Sequence, residues 1–269
     1  MDPKRIAFGS LLLSLLIVLG TCDFDRHSHS SSHMMHHMDS ATNVFFVADD
    51  LKLGKTMPIY FPDGNPNPLS SPYLLPKYEA DAIPFSLKQL PNILNHFSFP
   101  QDSHKAQVME NTLGACEAKP IEGETKICAT SYETLIDFAR KILGLETNIK
   151  VLSTHRPMRS NSAVLQNYTI TEAPERISTP KMVACHTMRY PYIVFYCHSQ
   201  EGDNRLHKTS LLGENGDRVE AIAVCHMDTS HWNRDHVSFR VLGIEPGTAP
   251  ICHFFPAENF VLVPSTSSI

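Results

Sequence analysis

Apolar and polar positions follow two different periods along the chain. Between Ser131 and Gly144 the apolar side chains recur at helical spacing, with Ser131 placed as the N-cap and Gly144 as the C-cap, which predicts a helix. Residues 86–97 and 102–113 also predict short helices. Beyond residue 145 the pattern changes to short runs of β-branched and aromatic residues, which predict strands. The predicted strands cover residues 149–153, 162–169, 182–186, 192–198, 219–226, 237–242 and 251–255.

The folded part of the chain is predicted to begin at Val44. There a β-rich segment, VFFVADDLKLGKTMPIYFP, is followed by a loop rich in Pro, Asn and Ser at residues 62–76. Helices before residue 145 and strands after it indicate an α+β fold, with short helices in the N-terminal half and a β-rich C-terminal half. We predict one domain over residues 44–264 and a tail at residues 265–269.

The first 43 residues are predicted to precede the domain. Residues 1–22 have the layout of a secretory signal peptide, because two basic residues precede a short apolar run and small residues follow it. A retained signal anchor is the alternative, but the run is short for a membrane span, so we expect a secreted protein with no span after cleavage. Residues 23–43 hold five histidines, three methionines and almost nothing to bury, which predicts a disordered arm. This arm would be either a weak metal scavenger or a solvated spacer.

Composition narrows the classes of partner. Apolar residues make up 42% of the 269 positions, which is enough for a sizeable core. The net charge is -5, and no basic run extends beyond Lys4 and Arg5. Since a phosphate backbone is held mainly by Lys and Arg, we expect no nucleic-acid partner.

Cleavage after Cys22 would leave six cysteines, an even number suited to an oxidising compartment. Cys116 and Cys128 bracket a short segment and predict one local disulfide. We expect the other four to pair among themselves, and the sequence does not choose between the three pairings. These four are Cys185, Cys197, Cys225 and Cys252.

Each of these four cysteines is followed by a histidine. Chance would give about 0.4 such dipeptides in a chain of this composition. The dipeptides Cys185-His186, Cys197-His198, Cys225-His226 and Cys252-His253 are separated by 10, 26 and 25 residues. Neighbouring side chains in a strand point to opposite faces, so each dipeptide can direct its cysteine to one face and its histidine to the other.

Four imidazoles that converge from separate strands would form an all-nitrogen metal site. Such a donor set favours Cu(II), with zinc next, and copper suits a secreted protein with oxidised thiols. The alternative is that the histidines are ordinary hydrogen-bonded residues beside structural disulfides. A zinc finger is disfavoured because the cysteines are too widely spaced and are expected to be oxidised.

One N-x-S/T sequon occurs, at Asn167-Tyr168-Thr169. Exposure of Asn167 in a loop would make it a glycan acceptor, and we predict glycosylation there.

The spaced dipeptides resemble the BURP domain of secreted plant proteins, over about residues 44–263. Supporting segments are FFVADDLKLGKTMPIYFP, IPFSLKQLP, MENTLGACEAKPIEGETKICATS, RYPYIVFYCH, CHMDTSHW and the turn before ICHFFP. By length and its short arm the chain is similar to the compact seed or microspore-embryo type. The resemblance implies an extracellular, cell-wall or vacuolar plant protein with structural disulfides, whose partners would be wall polysaccharide, a wall protein or a peptide.

Two functions are implied by the resemblance. Some members are copper-dependent peptide cyclases that oxidatively link a Tyr or Trp side chain of a core peptide, and others are seed, pollen or stress-associated proteins or non-catalytic partners of polygalacturonase. In a cyclase the copper ligands would be His186, His198, His226 and His253, with His236 and His231 as weaker candidates.

The sequence favours the non-catalytic function. Residues 23–43 contain neither Tyr nor Trp, so the arm offers no core peptide to oxidise. Trp232 is interpreted as a buried core aromatic, and Tyr73 and Tyr78 in the Pro-rich loop are unfavourable internal targets. We therefore predict a role in seed, pollen or cell-wall development with a histidine-based copper site. A cyclase acting in trans on Tyr- or Trp-containing peptides is the alternative, and no catalytic residue is assigned.

Overall fold

The computed structural model describes residues 44–61, 74–158 and 165–265. The predicted signal peptide, the predicted arm, most of the Pro-rich loop and residues 266–269 of the predicted tail lie outside these ranges. All described residues belong to one unit of the chain, Asp39–Ile269.

Five α-helices occur within the described ranges. They are α1 (Lys77–Ala82), α2 (Leu90–His96), α3 (His104–Glu117), α4 (Tyr132–Leu143) and α5 (Val237–Leu242). The apolar stripe of α4 is buried, as Leu135 and Phe138 show, and Ser131 accepts the N–H of Thr134 as its N-cap. Gly144 follows α4 at a φ of 122°, which a residue with a side chain rarely adopts. The predicted helix and both of its caps are confirmed.

Thirteen strands complete the described secondary structure. They are β1 (Phe45–Val47), β2 (Thr56–Tyr60), β3 (Glu124–Ala129), β4 (Ile149–Ser153), β5 (His155–Met158), β6 (Leu165–Ile170), β7 (Glu175–Ile177), β8 (Val183–Met188), β9 (Val194–Gln200), β10 (Asn204–Gly213), β11 (Arg218–His226), β12 (Ile251–Phe254) and β13 (Phe260–Pro264). With most strands after residue 145, the α+β class and the β-rich C-terminal half are confirmed.

The strands form two sheets. One has eight strands in the order β1-β12-β11-β10-β6-β2, with β5 paired to β11 and β7 paired to β10. The other has five strands in the order β3-β9-β8-β13-β4. All the strand pairs are antiparallel, so neighbouring strands can place residues directly opposite each other across the ladder.

Buried side chains lie between the sheets and on their outer faces. The layer between them includes Ala184 and Val261 from the five-stranded sheet and Leu206 and Val224 from the eight-stranded sheet. On the outer face of the five-stranded sheet, α4 packs its apolar stripe against Cys185 and neighbouring residues. The outer face of the eight-stranded sheet carries aromatic side chains together with two cysteines; they are Phe46, Phe61, Tyr168, Phe254, Cys225 and Cys252.

The strand prediction for residues 237–242 is wrong, because they form α5. The sequence VSFRVL alternates like a strand, but six residues are too few for periodicity to separate strand from helix. Phe239 is buried against Trp232, and the His236 imidazole accepts the N–H of Ser238 at the start of the helix. Gly243 ends it in the left-handed conformation at φ 65°.

Five strands were absent from the sequence prediction: β3, β5, β7, β10 and β13. β3 follows turn residues, β10 has too many polar residues for an apolar run, and β13 lies close to the C-terminus. Both β3 and β10 contribute side chains to the site described below. None of the helices in the described ranges combines the length and the apolar character that a membrane crossing requires.

Candidate metal centre

Three disulfides stabilise the described domain. Cys116 and Cys128 join α3 to β3, as the sequence predicts. Cys185 pairs with Cys197, and Cys225 pairs with Cys252. In each of the last two bridges the cysteines lie directly opposite each other on adjacent strands, with Cα atoms 4.1 Å and 3.9 Å apart. The register of β8 with β9 and of β11 with β12 therefore selects one of the three pairings that the sequence leaves open.

The histidine of each dipeptide projects to the opposite face from its cysteine. In β8, His186 shares a face with Ala184, and across the ladder His198 lies opposite Ala184. In β11, His226 shares a face with Val224, and across the ladder His253 lies opposite Val224. Because Ala184 and Val224 belong to the layer between the sheets, all four histidines face that layer.

The four dipeptide histidines form a continuous cluster there. The Nε2 atoms of His186 and His198 are 3.3 Å apart. The ring of His186 lies 5.5 Å from that of His253, and the rings of His253 and His226 stack at 5.7 Å with an angle of 14° between their planes. The two sheets thus bring together imidazoles that are separated by up to 67 positions in the chain.

A cavity of about 480 Å³ opens onto this cluster. Its polar lining includes the four dipeptide histidines, His236, Glu124, Lys126, Tyr196 and Trp232. Its apolar lining includes Val44, Phe45, Ile121, Val237, Phe254 and Pro256. The cavity falls in the size range of small-ligand pockets, in which a few polar groups are held within an apolar wall.

Glu124 of β3 connects two cavity residues of β9. Its Oε1 atom accepts the hydroxyl of Tyr196 at 3.0 Å and lies 3.0 Å from His198 Nδ1. The His198 N–H is not aligned with that oxygen, so the second contact is electrostatic rather than a directed hydrogen bond. The backbone N–H of Ile121 donates to the other carboxylate oxygen at 3.1 Å. Burial alone would raise the pKa of Glu124, but the contacts with His198, Ile121 and Tyr196 lower it below its usual value.

Asn204 of β10 plays a comparable part on the other side of the cluster. Its side-chain nitrogen donates to the carbonyl of Gln200 at 2.9 Å, which leaves its oxygen facing His226 Nδ1 at 2.7 Å. An amide oxygen only accepts, so His226 Nδ1 carries the proton and its Nε2 keeps a free lone pair. A histidine in this tautomer is prepared to bind a metal through Nε2.

His236 has the opposite arrangement. Its Nδ1 accepts the backbone N–H of Ser238 at 3.3 Å, so the proton of the neutral ring lies on Nε2. The ring packs 4.7 Å from that of Trp232, which in turn lies 4.9 Å from the ring of His226. Trp232 is buried, at 8% exposure, within a cluster that includes Phe239.

The buried histidines are held in the neutral form. Burial, followed by the charges of nearby imidazoles, lowers the pKa of both His186 and His226 to about 3. The same causes lower the pKa of His253 well below its usual value. Burial also lowers the pKa of His236 to about 4, with His198 adding to the shift. These rings therefore present lone pairs rather than positive charges to the cavity at neutral pH.

The donor set fits a metal ion that prefers imidazole nitrogen. Metal–nitrogen bonds of about 2.0 Å place two tetrahedral ligands roughly 3.3 Å apart, which is the separation of the His186 and His198 nitrogens. Across the described ranges no three His, Cys, Asp or Glu side chains are already arranged as a metal site. His226 and His253 would therefore join the first two histidines only after their side chains adjust.

Other predicted site residues lie elsewhere. His231 is 65% exposed at its side chain, contacts Glu122 at 3.2 Å and does not line the cavity. Asn167 lies within β6 rather than in a loop, and its side-chain nitrogen donates to Glu214 at 2.8 Å. Tyr78 is exposed on α1, and Tyr73 is outside the described residues. Asn167 therefore lies in a strand, within the strand predicted over residues 162–169, and its glycosylation stays a prediction.

The sequence analysis did not identify Glu124, Tyr196 or Asn204 as site residues. Alternation along β9 places Tyr196 on the face of His198, so the sequence held a signal for this residue. No comparable signal marked Glu124 and Asn204, because neither β3 nor β10 was predicted.

Comparisons with known proteins agree with the dipeptide pattern. A family model described as "BURP domain" matches residues 44–264. The BURP domain-containing protein BNM2C of Brassica napus is 42% identical over 272 residues, which cover 96% of this chain and 95% of that protein. The BURP domain protein USPL1 of Arabidopsis thaliana is 44% identical over 229 residues, covering 84% of this chain and 81% of that protein.

Proposed function

The chain belongs to the BURP domain family of plant proteins, and we propose that it is a secreted member that binds copper through the histidines of its four Cys-His dipeptides. The proposed ligands are His186, His198, His226 and His253. We place the protein in the apoplast, the cell wall or the vacuole, with a non-catalytic role in seed, pollen or wall development.

One observation carries the copper proposal: imidazoles from two different sheets meet in one cavity, with two ring nitrogens 3.3 Å apart. Three disulfides occupy the six cysteines of the described ranges, so no thiolate there competes for the metal. An all-imidazole donor set favours Cu(II) over the hard cations, with zinc as the next candidate.

The neighbouring residues would orient the ligands. Asn204 holds His226 with Nε2 unprotonated, and the Glu124 carboxylate lies against the Nδ1 edge of His198 while its Nε2 faces His186. Such outer contacts fix ring orientation in metal sites. Copper, when bound, supplies one-electron redox chemistry.

The non-catalytic role is supported by the aromatic residues of the cavity. Tyr196 and Trp232 are its Tyr and Trp lining residues, and both are held by packing. The Tyr196 hydroxyl donates to Glu124, and Trp232 is buried between His226 and His236. To move as a substrate in cis, either side chain would have to give up these contacts.

A peptide cyclase acting in trans is the second candidate. The cavity volume of about 480 Å³ and its apolar wall favour it, because they can accommodate an aromatic side chain supplied by another chain. Incubation of the copper-loaded protein with dioxygen and Tyr- or Trp-containing peptides tests this candidate by mass spectrometry. A peptide that loses two hydrogens would replace the non-catalytic role, whereas unchanged peptides would retain it.

Metal analysis combined with thermal unfolding tests the copper proposal. We expect Cu(II) at about 100 times its Kd to stabilise the protein by roughly 2.7 kcal/mol. A His186→Ala/His253→Ala variant should lose this stabilisation, and a variant with serine at the five arm histidines should keep it. Loss in the arm variant alone would assign the metal to residues 23–43 and contradict the proposal.

A further inference from the structure

The Cys116–Cys128 bridge differs in exposure from the other two cystines of the described domain. Cys116 and Cys128 are both partly exposed. The cysteines of the other two bridges are at most 1% exposed, because α4 covers one bridge and an aromatic layer covers the other. A thiolate must reach a sulfur atom before it can exchange with a disulfide. In the folded domain, exchange should therefore be confined to Cys116–Cys128.

The segment closed by this bridge forms one wall of the histidine cavity. Residues 116–128, which we call the cystine loop, run from the last turn of α3 through a mostly exposed connection into β3. Five cavity-lining residues belong to the loop; they are Ala118, Lys119, Ile121, Glu124 and Lys126. One of these, Glu124, places its carboxylate 3.0 Å from His198. The most accessible cystine of the described ranges thus closes the part of the chain that walls the histidine cluster.

The two ends of the cystine loop are held in different ways. At the β3 end, the carbonyl of Gly123 accepts the N–H of Glu201 at 2.9 Å, and the carbonyl of Glu122 accepts the side-chain amide of Gln200 at 3.1 Å. Towards α3, the cystine is accompanied by a hydrogen bond from Lys126 to the carbonyl of Ala115 at 2.7 Å. Opening of the cystine would therefore leave β3 in its sheet and release the wall mainly from the helix.

We propose that Cys116–Cys128 is a site of thiol–disulfide exchange, at which a dithiol reductant opens the wall of the histidine cavity. The closed bridge holds the wall against the histidines, and the open bridge lets the wall move away from them. This inference rests on the proposed function only where it concerns copper, since a looser wall should let the bound metal leave faster. Accessibility and position, rather than any property of the histidines, carry the exchange step.

The dithiol supplies the electrons and protons for the exchange. One thiolate of the reductant attacks a sulfur of the cystine, forms a mixed disulfide and displaces the other cysteine as a thiolate, which takes up a proton. The second thiol of the reductant loses its proton and displaces the remaining cysteine, so the reductant ends as a disulfide. Lys126, held beside the end of α3 by its contact with Ala115, favours the leaving thiolate through its positive charge.

Stepwise reduction of the metal-free protein with dithiothreitol, followed by alkylation and peptide mass analysis, tests the exchange step. We expect Cys116 and Cys128 to be labelled at least about tenfold faster than the four dipeptide cysteines. In concentrated urea, where burial is lost, all three cystines should react at similar rates. Equal rates in the folded protein, or earlier labelling of a dipeptide cysteine, would overturn the proposal.

Hydrogen exchange of the same metal-free protein tests the effect on the wall. After reduction of this bridge we expect the amides of residues 118–124 to exchange about tenfold faster, with unchanged protection in β11 and β12. Reoxidation should restore the slow rate, which separates a reversible opening from general unfolding. Unchanged protection of residues 118–124 in the reduced protein would overturn the proposal whether or not the protein binds copper.

Transfer of Cu(II) to a chelator relates the open wall to the proposed function. Cys116→Ser/Cys128→Ser opens the bridge without adding thiols that would reduce the metal, and we expect it to release copper about tenfold faster than the wild type. Lys105→Gln is the control, because Lys105 is exposed on α3 and does not line the cavity. Equal release rates would overturn the role given to the wall. Absence of copper binding by the wild type would contradict the proposed function, and the hydrogen-exchange result would still decide whether the wall opens.

Discussion

The two pairs of Cys-His strands share a motif but differ in the contacts of their histidines. Within the β8–β9 pair, His186 and His198 face each other directly, with their Nε2 atoms 3.3 Å apart. Within the β11–β12 pair, the rings of His226 and His253 stack in parallel without a nitrogen-to-nitrogen contact. The cystines are nearly equivalent, since both join directly opposed cysteines.

This difference shows that the dipeptide specifies the bridge and the direction of the imidazole, whereas neighbouring strands specify how each imidazole is used. On the β8–β9 side the neighbouring strand is β3, whose Glu124 places a carboxylate beside His198 and accepts the hydroxyl of Tyr196. On the β11–β12 side the neighbour is Asn204, which fixes the tautomer of His226. One side thus supplies charge, and the other supplies a neutral hydrogen bond.

Removal of the cystines should have the largest effect. We expect Cys185→Ala/Cys197→Ala and Cys225→Ala/Cys252→Ala each to lower the free energy of unfolding of the metal-free protein by about 3 kcal/mol. The physical reason is that the unfolded chain has more conformational entropy without the cross-link than with it. Denaturant titration measures the loss. If one variant lost stability and the other kept it, the two bridges would not be equivalent.

Removal of the Asn204 side chain should have the next largest effect. Asn204→Ala leaves the buried N–H of His226 without an acceptor, which should lower the free energy of unfolding by about 2 kcal/mol. Asn204→Asp retains the acceptor oxygen and should recover part of that loss. Denaturant titration of both variants checks this, and equal losses would show that the tautomer of His226 does not depend on this contact.

Removal of the Glu124 charge tests the β8–β9 side of the histidine cluster. Glu124→Gln keeps an oxygen for the Tyr196 hydroxyl but removes the charge beside His198, so Cu(II) affinity should fall about tenfold. Electron paramagnetic resonance should show altered copper parameters together with the weaker binding. Glu122→Gln is the control, because Glu122 contacts only the exposed His231 among these residues. An unchanged affinity and spectrum in Glu124→Gln would remove Glu124 from the site.

The smallest effect is expected at His231. This residue is exposed and does not line the cavity, so His231→Ala should leave Cu(II) affinity and stoichiometry unchanged. The matched change His253→Ala should lower both. Isothermal titration of the two variants distinguishes a site built by the dipeptides from one that involves any nearby histidine, and a clear loss in His231→Ala would contradict the placement.

The sequence predicted the parts of the site that depend on alternation along a single strand. Opposite faces for Cys197 and His198 follow from a period of two, and they occur as predicted. The pairing of Cys185 with Cys197 depends on register between strands, which one strand's sequence does not contain. Glu124 reaches His198 across a ladder from a position 74 residues earlier in the chain, so no local pattern reveals it.

Two helices show the same difference between what the local sequence predicts and what tertiary contacts decide. α4 has twelve residues, two caps and a continuous apolar stripe, so local signals agree with its packing. α5 has six residues, and its packing against Trp232 outweighs the alternating pattern of VSFRVL. Short segments are therefore decided by the tertiary contacts that surround them.

The placement of the cystines also determines which folding steps are independent. Cys116–Cys128 joins α3 to its neighbouring strand, and the other two bridges each close within one sheet, so none of the three joins the sheets to each other. Thiol oxidation can therefore proceed in each sheet before the two sheets pack against each other. The interface that gathers the histidines is therefore held by noncovalent packing, and its opening would leave every cystine of the described residues intact.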